Sequence, residues 1–192
     1  MKKLQERIAS EGKVLPGNII KVDGFLNHRI DTALMVDIAD EFGKLFDMDK
    51  VTTILTAEAS GIALATICAQ RYGKSMVFAK KAKSDNIEGG LYASDIFSYT
   101  YKKKVTLLVS SEWISSDDKV LIVDDFMANG EAMRGLCDIV VAAGAELVGI
   151  GCAVEKGFQG GGDRLREGGY NLHSLAIIES AEPGNIVFRE GT

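Results

Sequence analysis

The chain of 192 residues is 46% apolar and carries a net charge of −5. Its length suits one sizeable core and is short for two ordinary domains. The apolar fraction excludes a disordered chain, and the acidic balance argues against a general nucleic-acid binder. No run reaches the length of a membrane span, and the charged start Met1–Arg7 has no apolar core after it, so no signal peptide is expected. Cys68, Cys137 and Cys152 lie far apart in apolar surroundings without metal-ligand spacing, which reads as buried thiols in a reducing cytoplasm.

Lys3–Glu11 has the pattern of a short amphipathic helix, and Val14–Val22 contains an extended piece. Ile30–Phe46 reads as a longer helix with Leu34, Ile38, Phe42 and Leu45 on one face. Val51–Leu55 is expected as a strand, Gly61–Tyr72 as a helix stopped at Gly73, and Ser75–Ala79 as a second strand. From Ser84 to Thr100 the periodicity is weak and Gly, Ser, Asp and Tyr are frequent. A long irregular segment of that kind in a compact domain reads as a lid or a disordered loop. Val105–Val109 and Val120–Val123 follow as strands, Met133–Ala143 as a helix closed by Gly144, and Glu146–Val154 as a fifth strand. The alternation predicts an α/β fold with a mainly parallel central sheet flanked by helices. Ligands of such sheets collect at the carboxyl ends of the strands, where the loops after Leu55, Ala79 and Val123 should converge.

The stretch Lys119–Met133 is the most informative. The apolar run Val120–Val123 is closed by two adjacent acids, Asp124 and Asp125, and a small-residue loop, Ala128-Asn129-Gly130, leads into the next helix. Such a turn places backbone N–H groups around an anion. The acids repel that anion and suit sugar hydroxyls, or a metal carried by the ligand. The expected ligand therefore joins a polyol to a phosphate.

Upstream, Thr56-Ala57-Glu58-Ala59-Ser60-Gly61 lets backbone amides approach an anion at the start of a helix. Alone it is an ordinary tight turn; with the acid pair downstream it reads as a second anion loop. Lys80, Lys81 and Lys83 form a basic cluster at the end of a strand. Glu155-Lys156-Gly157-Phe158 ends the fifth strand, where Phe158 could stack on a base and Lys156 could donate to an exocyclic oxygen. A lysine ammonium only donates, which favours a 6-oxo purine over adenine. Asn27 both donates and accepts, so it could pair with ring N–H and carbonyl groups together.

The apolar run, acid pair and loop resemble the 5-phosphoribosyl 1-pyrophosphate (PRPP) signature of the type I phosphoribosyltransferases. Members of the family usually have Thr-Gly-Gly-Thr where this chain has Asn129-Gly130-Glu131-Ala132. Both hydroxyl residues are missing and Glu131 brings a negative charge close to the phosphate, while the backbone donors survive. With Leu15–His28, Thr56–Gly61 and Glu155–Phe158, the chain resembles the bacterial xanthine-specific branch of the family over nearly its whole length.

The resemblance implies transfer of the phosphoribosyl group from PRPP to N9 of xanthine, giving xanthosine 5′-monophosphate and pyrophosphate in cytoplasmic purine salvage. It implies Asp124, Asp125, Lys80 and Lys81 in catalysis, with Ala128, Asn129, Gly130, Glu131 and Ala132 cradling the 5-phosphate. Glu58, Ala59 and Ser60 would form the pyrophosphate loop, which in the family often carries a non-prolyl cis peptide. Ile20, Asn27, Lys156 and Phe158 would meet the base. Magnesium is implied as held mainly by PRPP, with no protein ligand assigned, and a homodimer is implied. Residues 1–192 would form one domain, with a core over 50–155, a hood from 1–49 and 156–192, and a mobile loop closing over PRPP. Two alternatives stay open: a PRPP-sensing purine regulator without catalysis, which would carry an added DNA-binding module, and a guanine or hypoxanthine transferase, because Asn27 could serve either 2-substituent after an amide flip.

Overall fold

The computed structural model describes residues 1–81, 90–98 and 103–190. Helix α1 (Lys2–Glu11) leads into a small hairpin, β1 (Lys13–Leu15) with β2 (Ile19–Lys21), and a π-helical turn over Asp23–Asn27. Helix α2 (Thr32–Leu45) starts where the Asp31 carboxylate accepts from the Leu34 N–H at 3.1 Å, one of the donors left open at a helix start. Its buried residues Leu34, Met35, Ile38, Ala39 and Phe42 recur at helical spacing.

Strand β3 (Thr53–Ala57), helix α3 (Gly61–Tyr72) and strand β4 (Ser75–Ala79) form the first strand–helix–strand unit. The helix stops at Gly73, whose φ of 62° is a left-handed turn that glycine takes without a Cβ penalty. A hairpin, β5 (Leu91–Ser98) with β6 (Lys103–Ser110), follows. Then come β7 (Lys119–Met127), α4 (Glu131–Ala142), β8 (Glu146–Lys156), a short turn, α5 (Gly161–Glu167), β9 (Leu172–Glu182) and β10 (Asn185–Phe188).

The main sheet has the order β10-β9-β8-β7-β3-β4, parallel throughout except for the antiparallel edge strand β10. Side chains alternate across it. Ile54, Leu121 and Val123 pack with α1, α2 and α3 on one face, while Leu55, Val120 and Ile122 pack with α4 and the β5–β6 hairpin on the other. Burial on both faces explains why these strands read as continuous apolar runs. The three cysteines are buried, and burial pushes the Cys68 and Cys137 thiols up to about 12. Among the described residues, no helix is long and apolar enough to cross a membrane.

Three expectations are corrected here. Residues 91–98 of the expected lid form a regular strand paired with β6. Its pattern is masked because the buried position 94 is a serine, whose hydroxyl donates to Asp138 at 2.8 Å instead of packing an apolar group. Residues 82–89 and 99–102, which hold the rest of the lid, Lys83 and the Tyr99-Thr100-Tyr101 run, lie outside the described residues. Val105–Val109 is no strand of the parallel sheet; it belongs to the hairpin, joined to the main sheet by the bridge from Lys80 to Leu108. Finally, β9 pairs with β8 and carries β10, so the sheet extends well past the expected core boundary at 155. The 7-residue helix α5 makes a clean β–α–β unit too short to register as a helical period.

The hairpin is seated on α4 through Gly135. A Cβ there would lie 2.5 Å from Ile96 Cγ2 and 3.0 Å from Leu107 Cδ1. Gly135→Ala should therefore destabilise the protein by about 1–3 kcal/mol through overpacking. Urea unfolding would register this as a lower midpoint at constant slope. An unchanged midpoint would mean that the hairpin is not packed on α4.

Candidate functional site

The carboxyl ends of β3, β4, β7 and β8 lie along one side of the sheet, and the chemistry-bearing loops leave from them. The acids do not close β7 as expected: the strand continues to Met127, and Asp124 stands opposite Cys152 inside the ladder. Both are buried, Asp124 at 6% and Asp125 at 1% exposure. Asp124 Oδ1 accepts from the Asp125 N–H at 3.0 Å, and Asp125 Oδ1 accepts from Ser60 Oγ at 2.8 Å. Burial, and then the neighbouring Asp125 charge, push the Asp124 carboxyl well above the usual carboxylate range, while the Lys81 charge acts in the opposite sense.

The loop after β3 is fitted to this pair. A Cβ on Gly61 would lie 2.2 Å from both Asp124 Oδ1 and Thr56 Oγ1, so only glycine lets α3 begin this close to the acids. Thr56 Oγ1 and Asp125 Oδ2 are buried oxygens with no hydrogen-bond partner in the described protein. The Glu58–Ala59 peptide is cis. Glu58 is stitched to the end of β4 twice: its N–H donates to Ala79 O at 3.0 Å, and its carboxylate accepts from the Lys81 N–H at 2.5 Å.

Lys80 and Lys81 face different openings. Successive residues at a strand end face opposite ways. Lys81 lines a cleft with Glu58, Ala59, Lys103 and Val105, whereas Lys80 lines a separate cavity with Met76, Phe78 and Trp113. Lys103 is a cleft residue that sequence reasoning missed. It sat beyond a stretch read as irregular, and its only signal was the basic run before the alternating strand β6.

After β7, the loop Ala128–Gly130 turns through Gly130, whose φ of 79° caps α4. The N–H groups of the first turn of α4 are open donors beside it, the arrangement that binds phosphate. A cleft here is lined by Ala128, Asn129, Gly130, Glu131 and Ala132, with Ile96 and Phe97 of the hairpin as the far wall. The Glu131 carboxylate accepts from the Phe97 N–H and from Arg134 Nη2, each at 3.4 Å. Its charge is thus engaged with the hairpin and with a guanidinium of its own helix.

At the end of β8, Lys156 Nζ donates to Asn18 O at 3.2 Å and lies 5.5 Å from the centre of the Phe126 ring. Burial lowers its pKa below the ordinary lysine range. Asn18 is in the β1–β2 turn, two residues from the buried Ile20, so the structure brings that hairpin to Lys156. Asn27 is half-buried at the end of the π-helical turn, and Phe158 is half-buried against the core on the α2 side of the sheet. The described residues contain no cluster of three or more acids, histidines or cysteines able to hold a metal.

The phosphoribosyl transferase domain family matches residues 29–165. The chain is 51% identical to a xanthine phosphoribosyltransferase of Lachnoclostridium phytofermentans, covering 98% of both chains. It is 50% identical to a xanthine phosphoribosyltransferase of Bifidobacterium longum, covering 98% of this chain and all of the relative. In fold it is similar to the adenine phosphoribosyltransferase of Giardia lamblia, at 20% identity and a TM-score of 0.77 over 93% of this chain and 98% of that one. Taken with a buried acid pair between the loops after β3 and β7, these likenesses show that the chain belongs to the phosphoribosyltransferase family.

Proposed function

We propose that this protein transfers the phosphoribosyl group of PRPP to N9 of xanthine, releasing pyrophosphate and forming xanthosine 5′-monophosphate in purine salvage. The observation that carries the reading is the hydrogen bond from Ser60 to Asp125, which joins the acid pair to the loop of Glu58 and Ala59. Relatives of about half-identical sequence named for xanthine support the choice of base.

In this reading the open N–H groups of residues 128–132 bind the 5-phosphate, and Asp124 with Asp125 orients the ribose hydroxyls. Glu58, Ala59 and Ser60 take the pyrophosphate, with Lys81 and Lys103 beside it. Lys80, which lines another cavity, is left out of this set. Lys156, a pure donor, addresses an exocyclic oxygen of the base, with Ile20, Asn27 and Phe158 completing the pocket. The hood over that pocket is the N-terminal flank, with α1, the β1–β2 hairpin and the π-helical turn.

The unpartnered Asp125 Oδ2, beside the raised Asp124 carboxyl, suits a magnesium that arrives on PRPP rather than a resident ion. When bound, the ion would supply positive charge to the leaving diphosphate, with the acid pair as its protein-side partners. Family likeness also supports a homodimer in the cytoplasm.

The test is a base panel with PRPP and magnesium: nucleotide should form fastest with xanthine, and slowly or not at all with guanine, hypoxanthine and adenine. Equal or faster turnover of another base would move the assignment within the family, and no product with any base would end it.

Lys156→Ala should weaken xanthine binding about tenfold or more, the scale of a lost charged donor at about 1.5–3 kcal/mol, with little change for PRPP. A selective loss of PRPP affinity would instead put Lys156 at the phosphate.

Asp124→Asn should cut turnover by at least about tenfold while stabilising the ligand-free protein. The folded-state pKa of Asp124 is raised, so its ionised form opposes folding above the unfolded value, and that opposition fades as pH falls and the carboxyl takes up its proton. The advantage of the variant in thermal unfolding should therefore be clear at about pH 8 and shrink toward about pH 5. A variant less stable than its parent at both values would refute this electrostatic account.

A further inference from the structure

Behind the phosphate loop lies α5, and its first residues meet that loop backbone to backbone. A Cβ on Gly161 would lie 2.3 Å from Ala128 O, 2.5 Å from Asn129 C and 2.6 Å from Gly130 N. The contact is mutual, since a Cβ on Gly130 would lie 3.3 Å from Gly161 O. From the next turn, Arg164 Nη2 donates to Asn129 O at 3.1 Å. The loop carbonyl at Asn129 is thereby tied to α5.

The same short helix also grips the end of β8. Glu155 is fully buried, and Gly162 leaves room for its carboxylate, which a Cβ there would approach to 2.1 Å. Arg166 donates to both Glu155 oxygens, at 3.1 and 2.6 Å, and the Ser174 hydroxyl donates to Oε2. A buried carboxylate is tolerated only with such pairing, and the two-pronged guanidinium fixes orientation as well as charge. Arg166 is held in turn by Asp163 at 3.1 Å, and Asp163 accepts from Arg189 at 2.6 and 2.9 Å. Lys156 follows Glu155 directly in β8.

We infer that α5 is a spacer, with Arg164 as a positioning residue that sets the 5-phosphate loop at a fixed distance from the base floor at Lys156. This rests on the phosphate-loop reading above. In a nucleoside monophosphate the ribose fixes the separation of phosphate and base, so a site that holds both must keep its two floors in register to within a fraction of an ångström. The loop is carried on β7 and the lysine on β8, and α5 touches both ends, through Arg164 at Asn129 and Arg166 at Glu155. Arg164 itself is exposed.

The test compares Arg164→Ala, Arg164→Lys and Gly161→Ala with the parent in PRPP titrations with magnesium and in steady-state kinetics. Arg164→Ala should raise the KM for PRPP by about tenfold, the scale of one charged hydrogen bond. Its melting temperature and its xanthine KM at saturating PRPP should stay at parent values, and Arg164→Lys should recover part of the loss. Gly161→Ala, which pushes on the loop itself, should raise the PRPP KM further. If Gly161→Ala fails to fold, Arg164→Ala alone decides. Unchanged PRPP KM in Arg164→Ala, or a parallel loss of PRPP affinity, xanthine affinity and thermal stability, would overturn the spacer. A parent that binds PRPP beside such unaffected variants refutes only this inference, whereas a parent that binds no PRPP refutes the functional reading and this inference together.

Discussion

Two carboxylates held inside a central β-strand are the constraint on which the rest of this site depends. Asp124 and Asp125 occupy ladder positions of β7 with almost no exposure, where a charge is costly unless something answers it. The surrounding choices follow. Gly61 admits the start of α3, Ser60 supplies a hydroxyl to Asp125, and the raised pKa of Asp124 records the electrostatic cost left uncompensated. Positive charge brought beside such a pair would lower that cost.

The hairpin of β5 and β6 has a second consequence. It forms the far wall of the cleft at residues 128–132 through Ile96 and Phe97, and it lines the neighbouring cleft through Lys103 and Val105. Arg134 ties it to α4, donating to Asp95 O at 2.7 Å and to Asp138 at 2.6 Å. This also bears on the acid at the start of α4. Glu131 is directed into the same network and meets a backbone N–H and a guanidinium, so the anion cradle keeps its donors without a bare negative charge beside them.

Much of the site was legible because it is local. An apolar run, two acids and a small-residue turn are consecutive in sequence, and a strand followed by a helix turns such a run into an anion loop wherever it occurs. Helix α3 with its glycine stop, and strand β4, were readable to the residue for the same reason. The clefts were not. Whether Lys80 or Lys81 faces the acids depends on which way the end of β4 points, and Lys103 enters only because β6 folds back beside the loop at Glu58.

Sequence alone determined the strand–helix units β3–α3–β4 and β7–α4–β8 and the loops that join them. Short-range periodicity and turn chemistry act within a few residues and need no partner. Only the tertiary structure decided that Asp124 and Asp125 are buried, that residues 91–98 pair with 103–110, and that β9 joins the sheet beyond β8. Each of these depends on contacts between residues distant in sequence. Ser94 passes as a loop residue until its hydroxyl donates a hydrogen bond to Asp138, and Glu155 passes as a surface acid until Arg166 closes over it. Long-range pairing sets the burial, and burial sets the charge behaviour, so the electrostatics of the site belong to the fold rather than to the motif.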